Sequence, residues 1–252
     1  MSALAVLDAE RIKLSTTRSP LWSAVAVAVL SLGLAAVQGA TAYDFSPLPP
    51  EKAALGVAAF GVPVLMVLAS MTVTGEYRGE MIRTTFMATP NRTLVLVAKA
   101  VVAAVFSGVC AAVMVIGSIV VARLVAKPLV GSQLSLTAPG CWRAVGAIGC
   151  YAALAAVLGV GVGALLRVAA GAVAVLLLWP LVAEPMIANL PSAGTEAGPY
   201  LPFGNAFMFI RVPWLYPGYA MPWGEFGSLV YFAVVVAVVV VAAIVVVNRR
   251  DA

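Results

Sequence analysis

The chain has 252 residues, of which 63% are hydrophobic and 10% charged, with a formal net charge of +5 and a mean hydropathy of +1.07. Soluble domains carry about 25% charged residues, so a soluble enzyme is excluded and water is not the main solvent of this sequence. The basic excess is spread between apolar runs instead of gathering on one face, which excludes a nucleic-acid binder.

Residues 19–43, 53–75, 100–122, 144–166 and 226–248 contain no charged side chain. Each run exceeds the ~20 residues with which a helix crosses roughly 30 Å of hydrocarbon. A sixth run, 168–190, qualifies if Glu184 is accommodated. The expected fold class is therefore an all-α integral membrane protein, a single domain with six transmembrane helices.

In chain order, the tail 1–19 reads as an interfacial helix. Leu4, Leu7 and Leu14 share a face, with Arg11 intruding on it and snorkelling to water. The first span covers about 20–39, with Pro20 suited to a helix start and Trp22 to an interfacial anchor. Ala40-Thr41-Ala42 has the small-residue form of a signal-peptide cleavage site; the long preceding tail with Asp8 and Glu10 argues against cleavage. Pro47, Pro49 and Pro50 keep the next loop from being helical. The second span covers 53–73, and residues 74–92 form a polar segment. A third helix over 93–123 is about 45 Å long, so its first two turns stand clear of the membrane core. Spans four and five, 144–166 and 169–190, meet at a tight turn around Arg167. Residues 191–225 hold six of the sixteen prolines together with Tyr200, Trp214, Tyr216, Tyr219 and Trp223, a composition for short pieces dipping into the interface. The last span covers 226–247.

An even number of spans puts both termini on one side. That side holds ten basic residues, Arg11, Lys13, Arg18, Arg78, Arg83, Arg92, Lys99, Arg167, Arg249 and Arg250, against five on the other, Lys52, Arg123, Lys127, Arg143 and Arg211. The excess of basic residues assigns the termini to the cytoplasm.

Recognisable catalytic chemistry is missing from the sequence. There is no histidine, no phosphate-binding G-x-x-x-x-G-K-[ST] loop, no G-x-S-x-G elbow and no H-E-x-x-H. No metal site is expected: Cys110, Cys141 and Cys150 lack ligand spacing and read as small buried apolar residues. Gly159, Gly161 and Gly163 lie inside an apolar helix, where small residues let helix backbones approach closely.

The segment Thr74–Arg92 stands out. It has five charges, Tyr77 and Phe86, hydroxyls at Thr84 and Thr85, and a helix stop at Pro90. A connector between antiparallel spans needs only a few residues. A solvated loop whose arginines fix topology is one reading; a short helix held at the membrane with a face for a cytoplasmic partner is the other.

The segment resembles the region between the second and third spans in permease subunits of type-2 ATP-binding-cassette exporters. Actinobacterial members of that family typically read T-G-E-Y-R-x-G-x-I-R-T-T-F-x-A-T-P-x-R there. Thr74, Gly75, Glu76, Tyr77, Arg78, Ile82, Arg83, Thr84, Thr85, Phe86, Ala88, Thr89, Pro90 and Arg92 match. Glu80 departs from the pattern, standing where the family usually has glycine. The tail from Glu10 to Trp22, the stretch Gly163–Arg167 with Ala170-Gly171-Ala172, the pair Glu184-Pro185 and the ending Arg249-Arg250-Asp251 are also similar to the family, so the likeness spans nearly the whole chain.

The resemblance implies a half-transporter of the bacterial plasma membrane, paired with a second permease as a homo- or heterodimer. It would move a hydrophobic or amphipathic substrate outward on a cytoplasmic ATPase subunit, which would hold the ATP and Mg; this chain itself would bind no cofactor. Glu76–Pro90 would be the helix seated in a groove of the ATPase. Glu76, Arg78 and Arg83 would meet its charges, Tyr77 and Phe86 would fill apolar pockets, and Thr84, Thr85 and Pro90 would complete the contact. The substrate path would run along spans two and five, past Glu184 and Trp179. Glu184 has two readings, a carboxylate hydrogen-bonded to the outer loop or one facing the cavity and meeting a cationic substrate. Pro180 and Pro185 should kink its helix. Two other classes compete, a six-span assembly protein that recruits an ATPase without transport and an intramembrane enzyme.

Overall fold

The computed structural model describes residues 2–43, 48–212, 214–217 and 221–249. Pro47, Tyr219, Arg250 and Asp251 lie outside the described residues. The helices that position the functional side chains are α1 (Ala3–Thr16), α2 (Ser19–Ala40), α3 (Val57–Arg78), α4 (Met81–Ala88), α5 (Arg92–Val125), α6 (Cys141–Leu166), α7 (Ala169–Ala188), α8 (Pro202–Ile210) and α9 (Glu225–Arg249). No strand occurs among the described residues. Helices α2, α3, α5, α6, α7 and α9 are long and apolar enough to cross a membrane, the architecture of an all-α multi-pass protein.

Two spans differ from their expected course. Helix α3 continues to Arg78, past the expected end at residue 73, and opens with a π-turn at Val57–Gly61. The kink expected in α7 takes the form of another π-turn, Trp179–Ala183, and the helix ends at Ala188. Pro180 and Pro185 lack an N–H and their rings crowd the preceding turn, and a locally wider turn accommodates both.

Helix α6 is the hub of the bundle. A Cβ at Gly159 would lie 2.2 Å from the Met66 carbonyl oxygen, and one at Gly163 would lie 2.8 Å from that of Ser70. These contacts advance together, so α3 and α6 run parallel with their backbones nearly touching. A Cβ at Gly161 would instead meet Val239 of α9, and Gly108 and Gly149 join α5 to α6 reciprocally at 3.2 Å. The glycine run is thus a packing surface, the reading given by its place inside an apolar helix. Gly159→Ala should destabilise the fold by about 1–3 kcal/mol, because the carbonyl it meets is backbone and cannot rotate away. Gly171→Ala, where nothing lies within 4 Å of the added Cβ, should be neutral. Thermal unfolding in detergent compares the two, and equal midpoints would contradict the packing role.

Helices α3 and α6 are mostly enclosed, whereas the other four long helices turn apolar faces outward. Val97, Val101, Val105, Val109 and Val113 form an exposed stripe on α5, and Val230, Val234, Val238, Val241 and Val245 form one on α9. Such faces suit a hydrocarbon solvent, since soluble proteins rarely expose apolar surface of this extent.

The expected membrane-facing set of α1 is not its packing face. Val6 and Glu10 are buried, Leu7 and Leu14 are half-buried, and Leu4 is exposed. The helix is rotated so that Val6 meets Val95 and Ala98 of α5 and the charges of Glu10 and Lys13 reach partners on α3 and α5.

Candidate functional site

The segment between α3 and α5 folds as a turn and a short helix. Gly79 closes α3, its N–H donating to the Gly75 carbonyl at 2.9 Å. Glu80 follows with φ 55° and ψ 11°, the left-handed conformation. Glycine adopts this backbone freely, whereas a residue with a Cβ is strained there by about 1–2 kcal/mol. Glu80 therefore adds strain to the turn. Helix α4 ends at Ala88 because Thr89 precedes Pro90 and is extended, with φ −134° and ψ 93°. Asn91 then caps α5, its side-chain oxygen accepting from the Leu94 N–H at 3.0 Å.

The structure divides the residues expected to meet the ATPase. Arg78, Arg83, Thr84 and Pro90 are exposed, while Tyr77, Thr85 and Phe86 are half-buried and Glu76 is buried. The Tyr77 ring lies beneath the Arg167 guanidinium at 4.9 Å and the Phe86 ring beneath that of Arg92 at 5.1 Å. Both aromatics, with Ile82, line a small pocket formed by Val73, Leu96 and Val247. Tyr77 and Phe86 thus turn toward their own bundle. The physical reason is local: Phe86 lies on the apolar side of α4, Tyr77 lies in the last turn of α3, and the ends of α3, α5 and α9 offer the nearest apolar surface to both. Exposed Met81 and Met87 take the outward positions.

Glu76 belongs to a four-charge network (Glu10, Lys13, Glu76 and Lys99). The Lys99 ammonium donates to Glu10 Oε2 and to Glu76 Oε1, each at 2.7 Å, and to the Thr72 carbonyl at 3.2 Å. Lys13 donates to Glu10 Oε1 at 2.8 Å and to Glu76 Oε1 at 2.9 Å. Two positive and two negative groups thus close a ring across α1, α3 and α5. Lys99 is 3% exposed and both carboxylates 6%, a depth at which an unpaired charge would not be tolerated. Burial by itself would lower the Lys13 ammonium, but its hydrogen bonds to Glu10 and Glu76 outweigh that and hold it above the ordinary 10.5. Its contribution to stability is present below that pH and is lost as the pH rises through the folded-state value.

The sequence reading missed this network. Lys99 counted there only as a topological charge, with its turn placed clear of the membrane core. The signal was nevertheless present: Glu76 bounds one uncharged run and Lys99 bounds the next, so consecutive spans end in opposite charges at one end of the bundle.

A second polar site lies at the opposite end. Glu184 is fully buried. Its Oε1 accepts from the Trp179 indole N–H at 2.7 Å, and its Oε2 accepts from the backbone N–H groups of Phe203 at 2.9 Å and Gly204 at 3.2 Å, with the Tyr216 hydroxyl at 3.4 Å. The Phe203 and Gly204 amides belong to the first turn of α8, whose N-terminus has no side-chain cap of its own. Glu184 caps that helix from nineteen residues away and complements its dipole. All of these partners come from α7 itself and from the segment that follows it. Trp179, the other residue expected on the substrate path, is 46% exposed on the outer side of α7.

Nearby, Glu225 at the start of α9 accepts from Arg143 of α6 at 2.7 Å and from Arg211, and Arg143 also donates to the Phe209 carbonyl at 2.9 Å. This triad ties the end of α8 to α6 and α9. Among the described residues, no group of His, Cys, Asp or Glu is arranged to hold a metal ion. The chain matches no family model and no curated protein.

Proposed function

We propose that this chain is the membrane permease subunit of an ATP-driven exporter, with α4 as the element that docks on a separate cytoplasmic ATPase. The observation that carries the reading is the two-sided character of α4. Ile82 and Phe86 anchor one side to the bundle, and Met81, Arg83, Thr84 and Met87 face outward, with Arg78 exposed just before it at the end of α3. A rigidly anchored helix with an exposed cationic and methionine-rich side can transmit force from a partner, which a solvated loop cannot. Exposed methionines adapt to a partner's apolar groove, and arginines select acidic or hydrogen-bonding rims.

In this reading the termini and α4 face the cytoplasm of a bacterium, in agreement with the ten-to-five distribution of basic residues. ATP and Mg bind the partner, since the sequence has no phosphate-binding loop. A second permease copy or homologue completes the transporter, and the cargo is hydrophobic or amphipathic. ATP-driven closure of the partners would move the α4 helices and shift the bundle between inward- and outward-open states.

The test is docking. The double variant Arg78→Glu with Met87→Asp alters only exposed side chains, so it should insert and unfold like the parent. It should lose the soluble ATPase that co-purifies with the tagged parent in mild detergent. If no ATPase accompanies the parent, or the variant retains it at parental yield, the reading fails. ATP-dependent flux in proteoliposomes then separates a transporter from an assembly protein that only recruits the ATPase.

A further inference from the structure

Helix α4 has eight residues, too few to hold its shape alone. Its position depends on what grips it. Ile82 is buried, and Phe86 packs on the cluster of Val6, Val95 and Ala98, in which Val6 comes from α1. The Thr85 hydroxyl points at Glu76 Oε2 at 3.5 Å, while Glu76 Oε1 receives both Lys13 and Lys99. Those two ammonium groups are held in turn by the two oxygens of Glu10. The N-terminal helix thus reaches α4 by two routes, through the apolar cluster of Val6 and Leu7 and through Glu76, which Lys13 meets directly and which Glu10 supports by holding both ammonium groups in place.

We infer that Glu10 is a positioning residue for α4, acting through Lys13, Lys99 and Glu76, so that the N-terminal helix and the short helix behave as one unit. Without the Glu10 charge, two ammonium groups share one carboxylate. Glu76 is then drawn onto them with both oxygens and turns away from Thr85. At the same time α1 keeps Lys13 on Glu76 but loses its buried link to Lys99, which loosens Val6 in the cluster on which Phe86 packs. A partner seated on α4 would therefore sense whether α1 is docked. That consequence rests on the ATPase reading above; the positioning itself does not.

Hydrogen exchange on the full chain in detergent, without any partner, tests the positioning. In Glu10→Gln, which keeps the side-chain shape, amides of Met81–Ala88 should exchange about tenfold faster or more, as expected for losing a charge-assisted hydrogen bond. Amides of Cys141–Leu166 should exchange as in the parent. Val6→Ala reaches α4 through the apolar contact alone and should speed the same segment by a smaller factor, which keeps the test decisive if Glu10→Gln folds poorly. Faster exchange confined to Ala3–Thr16, with Met81–Ala88 unchanged in both variants, would overturn the inference and leave α1 a passenger. The docking proposal is judged separately, by partner binding in the Arg78→Glu, Met87→Asp variant, so the two can fail independently.

Discussion

Replacing Lys99 by methionine should destabilise the protein by about 3–5 kcal/mol, the usual consequence of removing one partner from a buried ion pair. Glu10 and Glu76 would be left in a buried site with only Lys13, which is 46% exposed, to balance two negative charges. Methionine has nearly the volume of lysine, so the loss would come from charge and not from a cavity. In detergent the unfolding midpoint should fall by on the order of 10 °C. Adding Glu76→Gln to Lys99→Met removes one of the stranded charges and should recover part of the loss, since residues in one network do not act additively. A midpoint within about a degree of the parent for Lys99→Met would show that the network is solvated and contributes little, as exposed ion pairs do.

The second large effect lies at the other end. Glu184→Ala should destabilise the segment around α8 by roughly 2–5 kcal/mol, because the Phe203 and Gly204 amides would then be buried donors without an acceptor. Trp179 would lose its partner as well, although its half-exposed indole can turn to solvent. Glu184→Gln should be intermediate. Its one carbonyl oxygen can still accept from the α8 amides, but its NH2 group would confront the Trp179 N–H, a donor against a donor. Limited proteolysis within residues 189–201 reads the release of the segment, and thermal unfolding reads the overall cost. Parental proteolysis and an unchanged midpoint in Glu184→Ala would rule out the capping role.

Both effects bear on the proposed export cycle. The Glu10–Lys99–Glu76 network fixes the end of the bundle where α4 projects. Glu184, with the Arg143–Glu225–Arg211 triad, fixes the end where α8 covers the core. Between them, α3 and α7 each contain a π-turn with prolines in or just after it, and such turns mark places where a helix can change its path.

The short helix illustrates how far a sequence can be read. A short helix over Glu76–Pro90 was one of two readings open to the sequence. Its stop before Pro90 was legible because proline effects act over a few residues, but its start at Met81, after α3 runs on to Arg78, was not. Nor was the side of it that faced inward. Tyr77 and Phe86 looked like anchors for a partner, yet the apolar surface that they cover is assembled from the ends of α3, α5 and α9. Glu76 looked like a surface charge, and its partners come from positions 13 and 99, which Glu10 joins in turn.

The six apolar helices, the placement of charges between them and the glycine surface of α6 are all legible in the residues alone. These follow from properties that each residue brings with it, its affinity for hydrocarbon, its charge and its size, and they need no knowledge of neighbours in space. That Glu10 meets Lys99 across 89 residues of chain, and that Glu184 caps α8, follows from the packing of the helices in space. A buried charge must find a counter-charge or a set of donors, but many positions could supply one. Helix packing chose among them, and it rotated α1 and α4 to the faces that complete the network.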